Sequence, residues 1–328
     1  MRNLMISMTF FGLACGSAPP NSAPDEAATW GVEHTVASGA LLSVWGSAPD
    51  DVWAAGGQAD RGLILHFDGT EWREMASGAT SLLWWVYGFG RDDVYAVGER
   101  GYVAHYDGTA WRQVPTGTTK TLYGLWGASG GDVWVVGGVP NGRPGDAVIL
   151  RGNADGFHEV TDLPSTLLPE TLFKIYGTPR DGIVAVGEGG VVLRYDGAWK
   201  RHDVPMDGPL ISLWGRGDGE LYAVGGNAFG VMFHYDGEEW SEVEGMATGP
   251  GLFGVYTSPG ESVFAVGAGA RVVEMNPGAA PVEHLASGMD STSVLHSVWG
   301  DGQGAVYAVG GSLFSYPAPM DGVVLVRR

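Results

Sequence analysis

The sequence has 328 residues, among them 55 Gly, 13 Trp, 12 Tyr, 11 Phe and a single Cys. This aromatic content excludes a disordered glycine-rich chain, the lack of a three-residue glycine period excludes collagen, and one cysteine excludes a disulfide framework. The formal net charge is −19 and the 18 Lys and Arg residues form no basic cluster, which excludes nucleic-acid binding through phosphate contacts.

The N-terminal segment has the features of an export signal. Residues 1–14 form a predicted signal peptide, because a basic start precedes an apolar run, Leu4 to Ala14, that is too short to span a bilayer. Residues 12–15, Gly-Leu-Ala-Cys, resemble the lipobox of bacterial lipoproteins, which implies that Cys15 is lipidated and that residues 15–29 form a flexible tether. An ordinary secretory leader with an incidental cysteine is the alternative. We expect an exported protein, either secreted or a cell-envelope lipoprotein that meets the membrane only through its lipid anchor.

An apolar stretch that ends in Trp or Tyr recurs along the rest of the chain, at an average spacing of about 42 residues. Its seven copies end at Trp45, Tyr87, Trp126, Tyr176, Trp214, Tyr256 and Trp299. A period of this length is typical of units of four short strands, as in the blades of a propeller.

Each copy has the same internal order. A first strand ends in the recurring aromatic residue, and a polar turn leads to a second strand of the form V-x-A-V-G, as at residues 94–98. A third strand ends in a pair such as His66-Phe67, an Asp-Gly hairpin follows, and the fourth strand opens with an aromatic residue such as Trp72. The predicted fold is therefore all-β: a seven-bladed β-propeller of four-stranded antiparallel blades over residues 30–328.

The seventh copy has a third strand, at residues 322–326, but no fourth strand after it. The segment from Trp30 to His34, before the first copy, matches the fourth strand that begins at Trp72. We therefore expect the N-terminal strand to pair into blade seven, which closes the ring and removes an open sheet edge.

The pattern L-x-x-V-W-G, D-V-W-A-V-G and I-x-H-Y-D-G-x-x-W resembles the repeat of bacterial secreted propellers of the photosystem II assembly-factor type and of the wider BNR/Asp-box group. The resemblance covers residues 30–328 and implies the propeller fold. Relatives in this group include sialidases, assembly factors and lipoproteins, so the resemblance implies no single function. The chain departs from the Asp-box spacing S-x-D-x-G-x-T-W, because residues 107–111 read D-G-T-A-W.

No catalytic residue, metal site or cofactor is predicted. His66, His105 and His234 occupy the same position in different blades, so they are spread around the ring instead of converging as zinc ligands do. A glycosidase needs two close carboxylates, and the first strands carry no Asp or Glu. By resemblance, a sialidase would also need converging arginines and an Arg-Ile-Pro-like motif, which is missing. Glu99 and Glu188, in Val-Gly-Glu turns, are interpreted as residues of the repeat.

Two columns of the first strands and one loop break the repeat near the axis. One column is otherwise Ser or Gly but holds two large residues, the column before it is unusually aromatic, and the loop between the second and third strands is long in the third copy. The candidate binding residues are Trp85, Lys174, Tyr123, Phe173, Arg143, Asp146 and His296. We expect a binding surface on the loop face over blades two to four, and the alternative is that the large side chains fill gaps in the channel wall.

These features predict a monomeric, non-catalytic binding or scaffolding propeller that is tethered to the cell envelope and recognises a protein or a glycan through its loop face. An extracellular sialidase-like glycoside hydrolase is the alternative function. Convergent titratable groups in the central funnel would distinguish the enzyme from the binding protein.

Overall fold

The computed structural model describes residues 29–139, 141–178, 182–217, 219–313 and 320–328. Within these ranges the chain forms seven four-stranded antiparallel sheets, which confirms the predicted seven-bladed propeller. The predicted signal peptide, Cys15 and most of the predicted tether lie outside the described residues. In the part of the chain that is described, no helix is both long and apolar enough to cross a membrane.

Blades are numbered one to seven along the chain, and strand positions one to four run from the axis outward. The first strands are innermost, because those of neighbouring blades contact one another around the ring. They are β2 (Ala40–Ala48), β6 (Leu83–Gly90), β10 (Thr121–Ser129), β14 (Leu172–Thr178), β18 (Leu210–Gly215), β22 (Leu252–Tyr256) and β26 (Val294–Gly300). The second strands are β3 (Asp51–Gln58), β7 (Asp93–Gly98), β11 (Asp132–Gly138), β15 (Gly182–Gly187), β19 (Leu221–Gly225), β23 (Val263–Gly267) and β27 (Val306–Gly311).

The outer half of each blade is shorter and more exposed. The third strands are β4 (Arg61–Phe67), β8 (Val103–Tyr106), β12 (Val148–Asn153), β16 (Val191–Tyr195), β20 (Val231–Tyr235), β24 (Arg271–Met275) and β28 (Gly322–Arg327). The fourth strands are β5 (Trp72–Met75), β9 (Trp111–Gln113), β13 (Gly156–Glu159), β17 (Trp199–Asp203), β21 (Trp240–Glu242), β25 (Val282–Leu285) and, in blade seven, β1 (Trp30–Val36). Three short 3-10 turns are η1 (Glu99–Gly101), η2 (Ser165–Leu167) and η3 (Glu188–Gly190).

The core of the molecule consists of the interfaces between blades. Every residue of β19, β23 and β27 is buried, because the neighbouring sheets cover both faces of a second strand. A small residue in the middle of these strands, such as Ala223 or Ala308, is fully buried and lets adjacent sheets approach closely. The V-x-A-V-G pattern is therefore a packing requirement.

An aromatic–glycine pair recurs in every blade but the sixth, where Thr257 follows Tyr256, and it fits neighbouring blades together. Trp126 of blade three lies against Gly177 of blade four, where an added Cβ would meet the indole ring at 2.3 Å. The same fit occurs at the closing seam, since a Cβ at Gly46 of blade one would meet the ring of Trp299 of blade seven at 2.6 Å. The glycine of the repeat is therefore required by the aromatic ring of the preceding blade.

Strand β1 completes blade seven, as predicted. It pairs antiparallel with β28, and Trp30 lies opposite Arg327. The Trp30 ring is buried edge-on against Phe264 of blade six, with centroids 6.4 Å apart. The Arg328 guanidinium donates two hydrogen bonds to Glu33 at 3.1 and 3.2 Å. The two ends of the described chain are thus joined by backbone pairing, apolar packing and an ion pair.

Candidate binding site: the axial cup

A β-bulge recurs at one position in the first strand of every blade. In blade three, Leu122 pairs with Gly137 and Gly124 pairs with Val136, so Tyr123 is left unpaired between them. A bulge turns the unpaired residue out of the regular alternation, and here it directs the side chain toward the axis. The bulged residues are Leu42, Trp84, Tyr123, Phe173, Ile211, Phe253 and His296.

All of these side chains except that of Leu42 line a cavity of about 380 Å³ at the face where the first strands begin. We call this cavity the axial cup. Its other described lining residues are Leu82, Lys174, Val294, Leu313 and Met320.

Five rings form an aromatic wall along the cup. Ring-centroid distances are 5.2 Å for Phe173 and Tyr123, 5.0 Å for Tyr123 and Trp84, 5.9 Å for Trp84 and His296, and 5.7 Å for His296 and Phe253. Each ring contacts the next, with two of the four pairs edge to face, one tilted and one stacked, so the wall is continuous through blades four, three, two, seven and six. In blade five, Ile211 contributes an aliphatic side chain to the lining.

His296 is an uncharged part of this wall. Its Nδ1 lies 2.7 Å from the carbonyl oxygen of Leu42, and a carbonyl oxygen only accepts hydrogen bonds, so Nδ1 carries a proton and donates it. Burial, together with the charge of Lys174, lowers the pKa of His296 to about 4. At neutral pH the imidazole is therefore neutral, and Nε2 is its acceptor nitrogen.

Lys174 and Trp85 form the floor of the cup. They belong to blades four and two, yet Nζ of Lys174 lies 3.7 Å from the centroid of the Trp85 indole. Gly124 of the intervening blade makes room, since a Cβ there would lie 3.0 Å from the Cα of Lys174. Nζ donates to the carbonyl oxygen of Tyr123 at 3.1 Å, and Nε1 of Trp85 donates to that of Leu125 at 3.2 Å. Hydrogen bonds to blade three thus hold both side chains in place.

The Lys174 amine is buried without an acidic partner among the described residues. The residue is 4 % exposed, and among the described residues no carboxylate forms an ion pair with it. Burial lowers the pKa of Lys174 to about 7. The Trp85 ring and the Tyr123 carbonyl favour a higher pKa, because both interact better with an ammonium than with an amine.

At the positions equivalent to Trp85 and Lys174, the other blades have Ser or Gly, and two of these serines join neighbouring blades by hydrogen bonds. Ser43 Oγ accepts a hydrogen bond from the backbone N–H of Val86 at 3.1 Å and donates to its carbonyl at 3.4 Å. Ser297 Oγ accepts from the N–H of Val44 at 3.3 Å across the closing seam. A crowded axis explains the size of these residues, and the unpaired backbone groups of the innermost strands explain why Ser is used.

The cup is obstructed at its inner end. Tyr87 of blade two and Trp214 of blade five have ring centroids 6.4 Å apart, and because these blades are not neighbours the contact crosses the axis. Trp214 also contacts Tyr176 and Tyr256, at 5.3 and 5.5 Å. A ligand would therefore enter and leave the cup through one face.

Acidic residues lie at that face but outside the described lining. Glu99 and Glu188 follow second strands, in η1 and η3, and burial raises the pKa of both carboxyls. Burial raises the pKa of Tyr123 to about 12, and the charges of these two glutamates add to the rise. The mouth thus carries negative charge, whereas the described lining of the cup contains no carboxylate.

The structure places the predicted binding residues in the lining of the cup, beneath it, or in a separate turn. Tyr123, Phe173, Lys174 and His296 line the cup, and Trp85 lies beneath them. Their role in binding stays a prediction.

Arg143 and Asp146 lie apart, in a turn of their own. The backbone N–H of Arg143 donates to the Asp146 carboxylate at 2.7 Å, and that of Asp146 donates to the Arg143 carbonyl at 2.9 Å. The loop that holds them is on the cup face, but neither residue belongs to the lining. Trp84 and Phe253, which do, were not among the candidates, although they share the aromatic column.

The three histidines that were weighed as metal ligands each approach an acidic residue of their own blade. The distances are 2.7 Å for His66 and Asp51, 2.8 Å for His105 and Asp93, and 3.4 Å for His234 and Glu220. Burial acts to raise the pKa of Asp51, but hydrogen bonds from His66 and Ser47 outweigh it and hold this pKa below its usual value. Within the described ranges no three such residues form a group that fits a metal ion.

No family model matches the sequence, and no curated protein does. Similar solved structures include YCF48 bound to D1 peptide, with 14% identity, a TM-score of 0.65, and 92% of this chain and 97% of that chain covered. YCF48 from Cyanidioschyzon merolae has 14% identity and a TM-score of 0.67, over 92% and 99%. Streptogramin B lyase has 14% identity and a TM-score of 0.70, over 91% and 98%. At such identities the likeness shows the propeller fold alone, and membership of the BNR/Asp-box group stays a prediction.

Proposed function

We propose that the protein is a non-catalytic binding propeller that receives an apolar segment of a protein partner in the axial cup. The recurring bulge carries this proposal, because it turns five rings out of the sheets and into one cavity that opens on one face. Rigid aromatic side chains around a desolvated pocket are the usual anchors of binding energy. A solved propeller of the same fold holds a peptide, which supports a protein as the partner.

The composition of the lining favours an apolar protein segment over a glycan or a glycosidic substrate. Sugar hydroxyls that enter a cavity need hydrogen-bonding partners, and most of the described lining is aromatic or aliphatic. Hydrolysis of a glycoside needs two carboxylates, and the described lining has none. Glycan binding and sialidase-like hydrolysis remain the alternatives that the following experiment tests.

Partners are captured from an envelope extract with the wild-type protein, with a Trp84→Ser/Phe173→Ser variant and with a Phe229→Ser control. Phe229 is 65 % exposed on a loop of the cup face, so the control removes an aromatic ring of that face outside the cup. We expect the double variant to bind at least tenfold more weakly, about 1.4 kcal/mol, and the control to bind as the wild type does. Equal binding by all three proteins contradicts the cup as the site, and glycan-array binding or sugar release by the wild type supports an alternative.

We also propose that the propeller is exported and tethered to the cell envelope through Cys15. The lipobox-like sequence supports this proposal, since acyl chains on that thiol would supply the membrane affinity. A Cys15→Ala protein should leave the detergent phase on phase partitioning or accumulate as an uncut precursor. Unchanged partitioning of the variant contradicts a lipid anchor at this residue.

A further inference from the structure

The floor of the axial cup adds chemical selectivity to the proposed site. We propose that the cup selects a ligand in which an apolar body carries a carboxylate, and that this carboxylate pairs with the ammonium of Lys174. This inference rests on the proposed function because it uses the same cavity. The experiments below distinguish a failure of the carboxylate pairing from a failure of partner binding in the cup.

Lys174 belongs to the lining that a ligand in the cup would contact. It lines the cavity, and its Nζ is fixed between the Trp85 ring at 3.7 Å and the Tyr123 carbonyl at 3.1 Å. An ammonium has three N–H donors, and this carbonyl accepts only one of them. A buried cation without a paired anion is costly, so a ligand that supplies the anion gains more here than at an exposed lysine.

The titratable groups that face Lys174 are uncharged at neutral pH, so none of them neutralises its ammonium. His296, across the cup, is neutral with Nδ1 bonded to Leu42, and Tyr123 keeps its phenolic proton at neutral pH because burial raises its pKa to about 12. Glu99 and Glu188 at the mouth, and the net charge of −19, repel an anion at a distance. Salt screens that repulsion beyond about 8 Å at physiological ionic strength, whereas a contact pair at the buried floor is screened much less.

Proton uptake follows from this pairing. Burial lowers the pKa of Lys174 to about 7, and a carboxylate in contact raises it again. Above pH 7 the free protein holds less than one proton on this amine, so binding of the acid takes up a proton. The affinity for the acid should therefore fall as the pH rises from 6 to 9, by up to about tenfold per pH unit, whereas the affinity for a neutral isostere should not.

Three probes of one shape test the proposal on the full chain: 3-phenylpropanoate, 3-phenylpropanamide and 3-phenylpropylamine. They are titrated by calorimetry at pH 6 and pH 9 into the wild type, into Lys174→Met and into Lys200→Met. Lys200 is the matched control, because it is an exposed lysine paired with Asp196 on an outer strand. We expect the wild type and Lys200→Met to bind the acid at least tenfold more tightly than the amide at pH 6, and Lys174→Met to bind both with the affinity of the amide.

Proton uptake is measured on the wild type alone, in buffers of different ionisation enthalpy, so the test does not depend on the folding of a variant. A net proton taken up with the acid at pH 8, and none with the amide, supports the pairing. Tighter binding of the amine, equal binding of acid and amide, no binding of any probe, or an acid preference that survives in Lys174→Met overturns it. If the partner of the proposed function still depends on Trp84 and Phe173 after such a result, the cup stands as a binding site without a role for the ammonium.

Discussion

At the residue scale, the charge of Lys174 is set by opposing surroundings. Burial removes water from the ammonium, while the Trp85 ring and the Tyr123 carbonyl interact with the charged form. Burial lowers the pKa of Lys174 from 10.5 to about 7, so the folded protein releases this proton at a lower pH than the unfolded chain does. Lys174 therefore links the stability of the fold to pH.

Lys174→Met should change how stability depends on pH. Between pH 7 and pH 10 the unfolded wild type holds up to one proton more than the folded wild type at this site, so the contribution of Lys174 to the free energy of unfolding rises with pH by up to about 1.4 kcal/mol per unit. The variant lacks this contribution, so its stability relative to the wild type should be greatest at or below pH 7 and should decrease steadily toward pH 9.5. Urea unfolding at a series of pH values measures the difference. A difference that is constant across this range, or that follows the same trend in Lys200→Met, contradicts a buried, perturbed amine.

The sequence identifies some residues of the cup and not their arrangement. Trp85 and Lys174 stand out because they interrupt a column of Ser and Gly, but their contact depends on Gly124 of a third blade and on the curvature of the ring. Trp84 and Phe253 lie in an aromatic column that the repeat displays, yet only the bulge, which leaves no sequence signal of its own, turns that column into the cup.

At the element scale, one short first strand serves three purposes along its length. Its bulged residue lines the cup, the next residue joins neighbouring blades, and the terminal aromatic–glycine pair fits one blade to the next. The repeat predicts the strands and their order because each purpose leaves a residue type at a fixed position. The reason for the glycine is visible only in three dimensions, since the ring that excludes a side chain belongs to another copy.

Gly177→Ala tests the fit between blades. The added methyl group would overlap the Trp126 ring, so we expect a loss of about 1–3 kcal/mol in the free energy of unfolding. Gly31→Ala is the matched control, because it lies in strand β1 with no atom within 4 Å of the added Cβ, and it should change stability by less than about 0.5 kcal/mol. Chemical denaturation of both variants gives the comparison. Similar stabilities for the two would mean that the glycine of the repeat is not required by packing.

At the scale of the whole molecule, the ring depends on a strand from the opposite end of the described chain. Residues 30 and 327 are paired, so blade seven forms only when the two ends meet. The sequence predicts this closure because the N-terminal segment resembles a fourth strand and the last copy lacks one. The same reasoning cannot place residues before position 29, which belong to no copy of the repeat.

Deleting residues 28–38 should leave β28 with an open edge. The exposed backbone groups and the loss of the buried Trp30 ring are expected to give an aggregating or poorly folded product. Size-exclusion chromatography and thermal melting measure this outcome, and a deletion of residues 16–26 is the control, since it removes the same number of residues from the predicted tether. If the protein without residues 28–38 is monomeric and melts cooperatively near the wild-type temperature, the ring does not require strand β1 for its closure.

The direction of strand β1 also determines on which side the chain enters the propeller. The strand begins at Trp30, beside Arg327, and ends at Val36, beside Gly322, close to the loop whose Met320 lines the cup. The chain therefore joins the propeller on the side away from the cup, and Arg328 emerges on that side as well. If Cys15 carries a lipid, its tether would join the propeller on the side opposite the cup, and a partner could enter the cup without contacting the point of attachment.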